Sequence, residues 1–417
     1  MRAATGLLLG ICLLSLIACG GKKKHYYTDD GLSNVHPFVS GSPYSAVLKR
    51  CATAADQQSC TLEELPVLGM ETLEPTVEDV MSRVLVSHPW MGKRLEQVLN
   101  EMPEDLLKLF RSITVVVVDD DIRPSFYRFG TAAIYLDPEY LWLLDEERAT
   151  ISDKEDFRGE YIRQMNYRPV WRYISGSEYP ARSLDTIVMD TAQLLFHELA
   201  HATDRFPPMH FQSVDRSWQI HQVVASLKDV SISRLLNASY PLESEVMFDL
   251  ASILYGGAVA TPSYKAMTAA EVGHQFASDG ANDDYNYALL EEDVAMLFEE
   301  AMMKFHFNLD RDVGFTSATD SIYCQDYILG WGMRNRLGVE KIKTRAQWVV
   351  EQLLPESDYS LDFDTFPEPR QLRTEVSWCD SDTSSQSARE KSFASGFDER
   401  LINPRDLLPS GGRELHQ

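Results

Sequence analysis

The chain has 417 residues, 44% of them hydrophobic, and carries 63 acidic against 39 basic residues for a net charge of −24. That much apolar material fills a sizeable core, which excludes a wholly disordered chain or a small disulfide-stapled scaffold. The acidic excess argues against nucleic acid as a partner, because phosphate binding needs a basic stripe.

The N-terminus reads MRAATGLLLGICLLSLIACGGKKK, with one Arg, an apolar run from Leu7 to Ile17 and then Ala18-Cys19. The run is short for a transmembrane helix and has the layout of a secretory signal peptide. Its ending, Leu16-Ile17-Ala18-Cys19, resembles the lipobox of bacterial lipoproteins. The resemblance implies a signal peptide over residues 1–18, cleavage before Cys19 and lipidation of Cys19. By the same resemblance, Gly20 in place of Asp points to an outer-membrane anchor facing the periplasm. Lys22, Lys23 and Lys24 would then lie against anionic head groups.

Residues 19–65, rich in Gly, Lys, Ser, Asp and Pro, read as a lipid-anchored tether. Loss of residues 1–18 discards Cys12 and leaves Cys51, Cys60, Cys324 and Cys379 for disulfides in an oxidising compartment. Of the three pairings, Cys51 with Cys60 closes a short loop and Cys324 with Cys379 pins the C-terminal region; this is the preferred set. No CxxC spacing occurs, so neither a redox motif nor a Cys-based zinc site is expected.

From Thr76 onward, Val77, Val80, Val84 and Leu85 recur at helical spacing, as do Leu95, Val98 and Leu99, then Leu106, Leu107 and Phe110. They predict two or three amphipathic helices. Residues 113–118, stopped by Asp119-Asp120-Asp121, and residues 132–136, ended by Asp137-Pro138, read as strands. The Asp triplet lacks the spacing of a calcium loop and reads as a solvated turn. Residues 185–206 contain no Pro or Gly, carry apolar residues at helical spacing and end at Pro207-Pro208, which predicts a long helix. Further helices are expected near 220–227, 243–254, 288–305 and 339–354, and the Ser-rich stretch after Cys379 reads as mobile.

Within the long helix lies Phe196-His197-Glu198-Leu199-Ala200-His201, an H-E-x-x-H match. Positions i and i+4 share a helix face, so His197 and His201 can each offer a ring nitrogen to one metal ion, and Glu198 can reach a water on that ion. Three protein ligands with an open fourth position are expected for catalytic zinc. Asp204 and Pro207 stand where the extended H-E-x-x-H-x-x-G-x-x-H pattern needs Gly and His, so the third ligand comes from elsewhere. His210, His221, His274 and His306 share no spacing with the motif. Glu243, Glu245, Asp249 and Asp204 are outside candidates with ordinary readings as surface charges or as partners of a His.

A second helix is expected over residues 285–300, where Glu291 and Glu292 adjoin Asp293-Val294-Ala295 and Phe298. Helical periodicity puts Glu291 on the face shared with Val294, Ala295, Phe298 and Met302, with Glu292 at its margin. The E-D-V-A-x-x-F segment, however, is similar to one in the gluzincins, H-E-x-x-H peptidases with a downstream Glu as third ligand, and in particular to their anthrax lethal factor-like branch. The resemblance covers two short segments about ninety residues apart. It implies Glu292 as the ligand, Ala295 as the small residue of the motif, and Tyr285 as a phenol assisting the oxyanion.

The resemblance further implies an α+β, zincin-like fold, mostly helical with a small sheet before the H-E-x-x-H helix, a Zn²⁺ cofactor and a peptide or protein substrate. Glu198 would act as general base and then general acid. In such peptidases a strand often aligns the substrate by backbone pairing, a role open to the aromatic stretch Tyr135 to Trp142, whose default explanation is core packing. The resulting organisation is a signal peptide (1–18), a tether (19–65), a catalytic domain (66–310) and a helical C-terminal extension with a mobile tail (311–417). The competing expectation is a non-catalytic envelope lipoprotein with a structural or degenerate metal site.

Overall fold

The computed structural model describes residues 31–175, 182–382, 407–408 and 411–412. The expected signal peptide, Cys19, the first part of the expected tether and most of the Ser-rich stretch lie outside the described residues.

The first sheet is built around β1 (His36–Pro37), β2 (Val84–Val86), β3 (Val115–Val118), β4 (Ser125–Arg128) and β5 (Ala133–Leu136). β2, β3 and β5 run parallel, while β1 and β4 pair antiparallel with β2 and β5. Four consecutive valines make β3, buried along its whole length, as expected for a strand covered on both faces. The two strands expected from sequence are therefore present. Val84 and Leu85, expected to continue a helix, instead form β2: the helix Val77–Met81, capped by Thr76 and Asp79, stops short of them. β-branched Val84 and Val86 then fill the open side of β3.

The second sheet is antiparallel, in the order β6 (Tyr167–Ile174), β7 (Asp310–Ser317), β8 (Leu329–Arg334) and β9 (Arg370–Gln371). Gly273 lets the helix Ala269–Ala277 lie against Trp331 of β8, since a Cβ there would come within 2.1 Å of the Trp331 Cβ. Strands β1 to β5 of the first sheet precede the H-E-x-x-H helix, in keeping with the small sheet expected there, and the second sheet, with only β6 ahead of that helix, is an addition to it. The architecture is α+β with two small sheets.

Two domain boundaries also need correction. Residues 31–65 are part of the folded body: β1 belongs to the first sheet, Leu48, Leu62 and Leu65 are completely buried, and Cys51 is disulfide-bonded to Cys60. Small polar residues gave this stretch a linker-like composition, yet Leu32, Val35, Leu48, Leu62 and Leu65 all point inward. The boundary at 310/311 runs through β7, whose hydrogen bonds to β6 span eight residue pairs, so the C-terminal part completes the second sheet. Cys324 and Cys379 lie together, with Cα atoms 5.8 Å apart. Among the described residues no helix is long and apolar enough to cross a membrane.

Candidate metal centre

The H-E-x-x-H segment sits in the helix Leu184–Arg205, hereafter the His helix. Ser183 caps its start: its hydroxyl accepts from the Thr186 N–H, and the Thr186 hydroxyl accepts from the Ser183 N–H. The helix is buried almost all round from Thr191 to Asp204, so His197 and Glu198 lie inside the protein and His201 is only slightly exposed. The helix Leu290–Phe307, the Glu helix, packs along it, with Phe298 edge-on to Phe196 at 6.0 Å.

This packing brings three donors to one point. His197 Nε2 is 3.1 Å from Glu292 Oε2, His201 Nε2 is 3.3 Å from the same oxygen, and the two Nε2 atoms are 3.2 Å apart. Glu291 faces away and forms an ion pair with Arg205 in the last turn of the His helix. Glu292, the residue implied by the motif, is thus the one that meets the two imidazoles, and the helical wheel misleads because the Glu helix is buried on nearly every side from Glu292 to Met303.

Glu299, unrecognised in the sequence, completes the arrangement. Its Oε2 lies 3.1 Å from His197 Nδ1, while its Oε1 accepts from Gln193 Nε2 at 3.0 Å and from the Tyr173 hydroxyl at 3.1 Å. A carboxylate can only accept, so Glu299 keeps a proton on His197 Nδ1, and it is Nε2 that faces His201 and Glu292. Glu299 lies two helical turns beyond Glu292, and that i+7 spacing was the available signal.

Tyr285 stands on a short 3-10 turn, Asp284–Tyr287, rather than on the Glu helix itself. Asp283 accepts from the Tyr285 N–H at 2.8 Å and is held by Arg311 at 2.7 Å, while Asn286 donates to Asp293 at 2.9 Å. The Tyr285 ring is stacked 6.2 Å from that of His197, and its buried hydroxyl interacts with the Glu292 carboxylate. Burial, reinforced by Glu292, pushes the phenol pKa well above its ordinary value, so Tyr285 stays a neutral donor.

Electrostatically the centre calls for a cation. Burial opposes a charge on His197, yet Glu292 and Glu299, with Glu198 adding to them, raise its pKa to about 10. Burial likewise opposes ionisation of Glu292, but His201 and His197 hold its carboxyl far below the usual carboxylate range. The donor set fits zinc: bonds of about 2.0–2.1 Å in a tetrahedron place donors roughly 3.3 Å apart, close to the separations found. Among the described residues, His197, His201 and Glu292 are the one group of His, Cys, Asp or Glu side chains able to hold a metal ion.

The other candidates lie elsewhere. Asp204 accepts from the Ser233 N–H and hydroxyl. Glu243, Glu245 and Asp249 are exposed, and so is His274, while His210 is only partly buried. His221 is bonded to Ser59 and His306 to Tyr359. Asp119, expected in a solvated turn, is buried, and its burial raises its pKa to about 6. Tyr135 lies in β5, inside the sheet between β3 and β4, and therefore has no free strand edge. No protein-family model matches the chain, and neither a curated protein nor a solved structure does.

Proposed function

We propose that the protein is a zinc-dependent metallopeptidase of the gluzincin type with a zincin-like fold, exported and anchored in the cell envelope, at the outer membrane, through a lipid on Cys19. The observation that carries this reading is the convergence of His197, His201 and Glu292, from two helices about ninety residues apart, with Glu198 beside them and Glu299 behind.

Zinc, when bound, supplies a Lewis acid and lowers the pKa of water toward neutrality. His197, His201 and Glu292 would hold it, leaving one tetrahedral position without a protein ligand. Glu198 follows the first His and acts electrostatically on both His197 and Tyr285. In this setting its carboxylate takes the proton of the attacking water and passes it to the leaving amine. The neutral Tyr285 hydroxyl donates to the carbonyl oxygen as negative charge develops there. Glu299 keeps His197 in the tautomer that presents its lone pair to the metal.

A second reading, a non-catalytic envelope lipoprotein with a structural metal, is favoured by the near-complete burial of the donors, since structural sites are closed. Glu198→Gln separates the two. The peptidase reading predicts unchanged zinc content and a loss of peptide hydrolysis of at least 100-fold on a mixed peptide library. Undiminished hydrolysis, or none by the zinc-loaded wild type, would leave the structural reading.

A further inference from the structure

Strand pairing puts Arg311 of β7 directly opposite Tyr173 of β6, with Trp171 two residues along β6 on the same face. The Arg311 guanidinium lies over both rings, 5.4 Å from the Trp171 centroid and 5.7 Å from that of Tyr173. From there it forks toward the Glu helix and the turn before it: Nη2 donates to Asp283 Oδ2 at 2.7 Å and Nη1 to Glu300 Oε2 at 3.4 Å. Glu300 follows Glu299 and also accepts from Asn282 Nδ2 at 2.8 Å. The Arg311 backbone is held as well. Its N–H donates to Asn335 Oδ1 at 3.2 Å, and its carbonyl accepts from the Asn335 N–H at 2.7 Å.

From this one cation two paths lead to the candidate metal centre. Through Asp283, whose Oδ1 accepts from the Tyr285 N–H at 2.8 Å, it reaches the turn that carries Tyr285. Through Tyr173, whose hydroxyl donates to Glu299 Oε1 at 3.1 Å, it reaches the carboxylate bonded to His197 Nδ1. Burial opposes the charge on Arg311, yet Asp283, Tyr173, Glu300 and Glu299 together hold its pKa above the ordinary value. Three carboxylates therefore share one buried cation, which offsets their mutual repulsion. Lys, a compact charge on a flexible stem, lacks the rigid fork that spans Asp283 and Glu300.

We infer that Arg311 is a positioning residue of the metal centre: from β7 its guanidinium holds the Tyr285 turn through Asp283 and the Glu299 carboxylate through Tyr173, and so registers the phenol against the first imidazole of the motif. The stacked Tyr285 and His197 rings are the contact so registered. The second sheet thereby has a part in the site, although none of the three candidate ligands lies on it. The effect of the Tyr285 arm on hydrolysis rests on the peptidase reading; the Glu299 arm needs only zinc binding.

The test uses the full-length chain and pairs each substitution with loss of the group it is argued to act through. Zinc affinity, measured by competition with a chromophoric chelator, is expected to fall about threefold or more in Arg311→Lys, with no further fall when the change is made in Glu299→Gln. Tyr173→Phe keeps the ring, loses the hydroxyl and follows the same pattern; it serves if the Arg311 variant does not fold. Unchanged zinc affinity, or a fall that adds in full to that of Glu299→Gln, would overturn the Glu299 arm. Asp283→Asn keeps an oxygen for the Tyr285 N–H and removes the charge that Arg311 grips. On a peptide cleaved by the wild type it is expected to lower kcat about tenfold with KM within about twofold, and to cost nothing more in a Tyr285→Phe background. An unchanged kcat, or an equal loss in that background, would overturn the Tyr285 arm and leave Asp283 a packing partner. A wild type that binds no zinc would overturn both arms. Absence of hydrolysis in every form, with the zinc results as expected, would sink the peptidase reading and leave the Glu299 arm standing.

Discussion

Glu291 and Glu292 are chemically alike and adjacent, yet one meets two imidazoles and the other meets Arg205. Periodicity cannot separate them on a helix buried on nearly every side; the spacing of the motif can, because it singles out one position and no other. Glu299 shows the converse. It reads as one more charge in an acidic helix, but both of its oxygens are bonded, to His197 on one side and to Gln193 and Tyr173 on the other. Under the proposed function its carboxylate would orient the first His ligand and raise that ligand's basicity. Glu299→Gln keeps the shape and removes the charge, so zinc affinity measured by competition with a chromophoric chelator is expected to fall about 10- to 100-fold. Unchanged affinity would show that Glu299 is only a packing partner.

At the scale of elements, the long His helix was legible because nothing interrupts it: a run without Pro or Gly and a stop at Pro207-Pro208. The second sheet was not, because β7 begins Asp310-Arg311-Asp312 and looks solvated. Those charges are in fact buried as pairs, Arg311 with Asp283 and Asp312 with Arg334 and Arg172. Pairing across distant segments leaves no local signature in the sequence.

Asp204 illustrates the same point in the last turns of the His helix, where it anchors the start of the helix Ile232–Ser239 through Ser233. Burial raises its pKa to about 6 against the pull of Ser233 and Arg205, whereas the unfolded chain has an ordinary value of about 3.9. The folded state therefore binds this proton more tightly. The associated stability is fully present below about pH 4 and is lost as pH rises to about 6, an effect of about 2–3 kcal/mol. Asp204→Asn retains an oxygen acceptor for the Ser233 N–H and removes the titration. Relative to this variant, wild-type unfolding free energy in urea is expected to decline between pH 4 and 6. Parallel pH profiles for the two proteins would contradict the assignment.

At the scale of the whole molecule, composition misplaced one boundary and topology another. Residues 31–65 have the composition of a linker, but burial of Leu48, Leu62 and Leu65 and the Cys51 to Cys60 bond tie them to the body. The C-terminal part looks like an appendage and instead supplies β7, β8 and β9. The candidate metal centre depends on that whole arrangement, since its side chains come from segments about ninety residues apart that meet only when the two central helices pack. Metal content of the purified full-length protein by mass spectrometry tests this most directly. The account predicts about one zinc per chain in wild type and in Glu291→Ala, and none in His201→Ala or Glu292→Ala. Zinc lost in Glu291→Ala but kept in Glu292→Ala, or a wild-type chain that binds no metal when supplied with zinc, would contradict it.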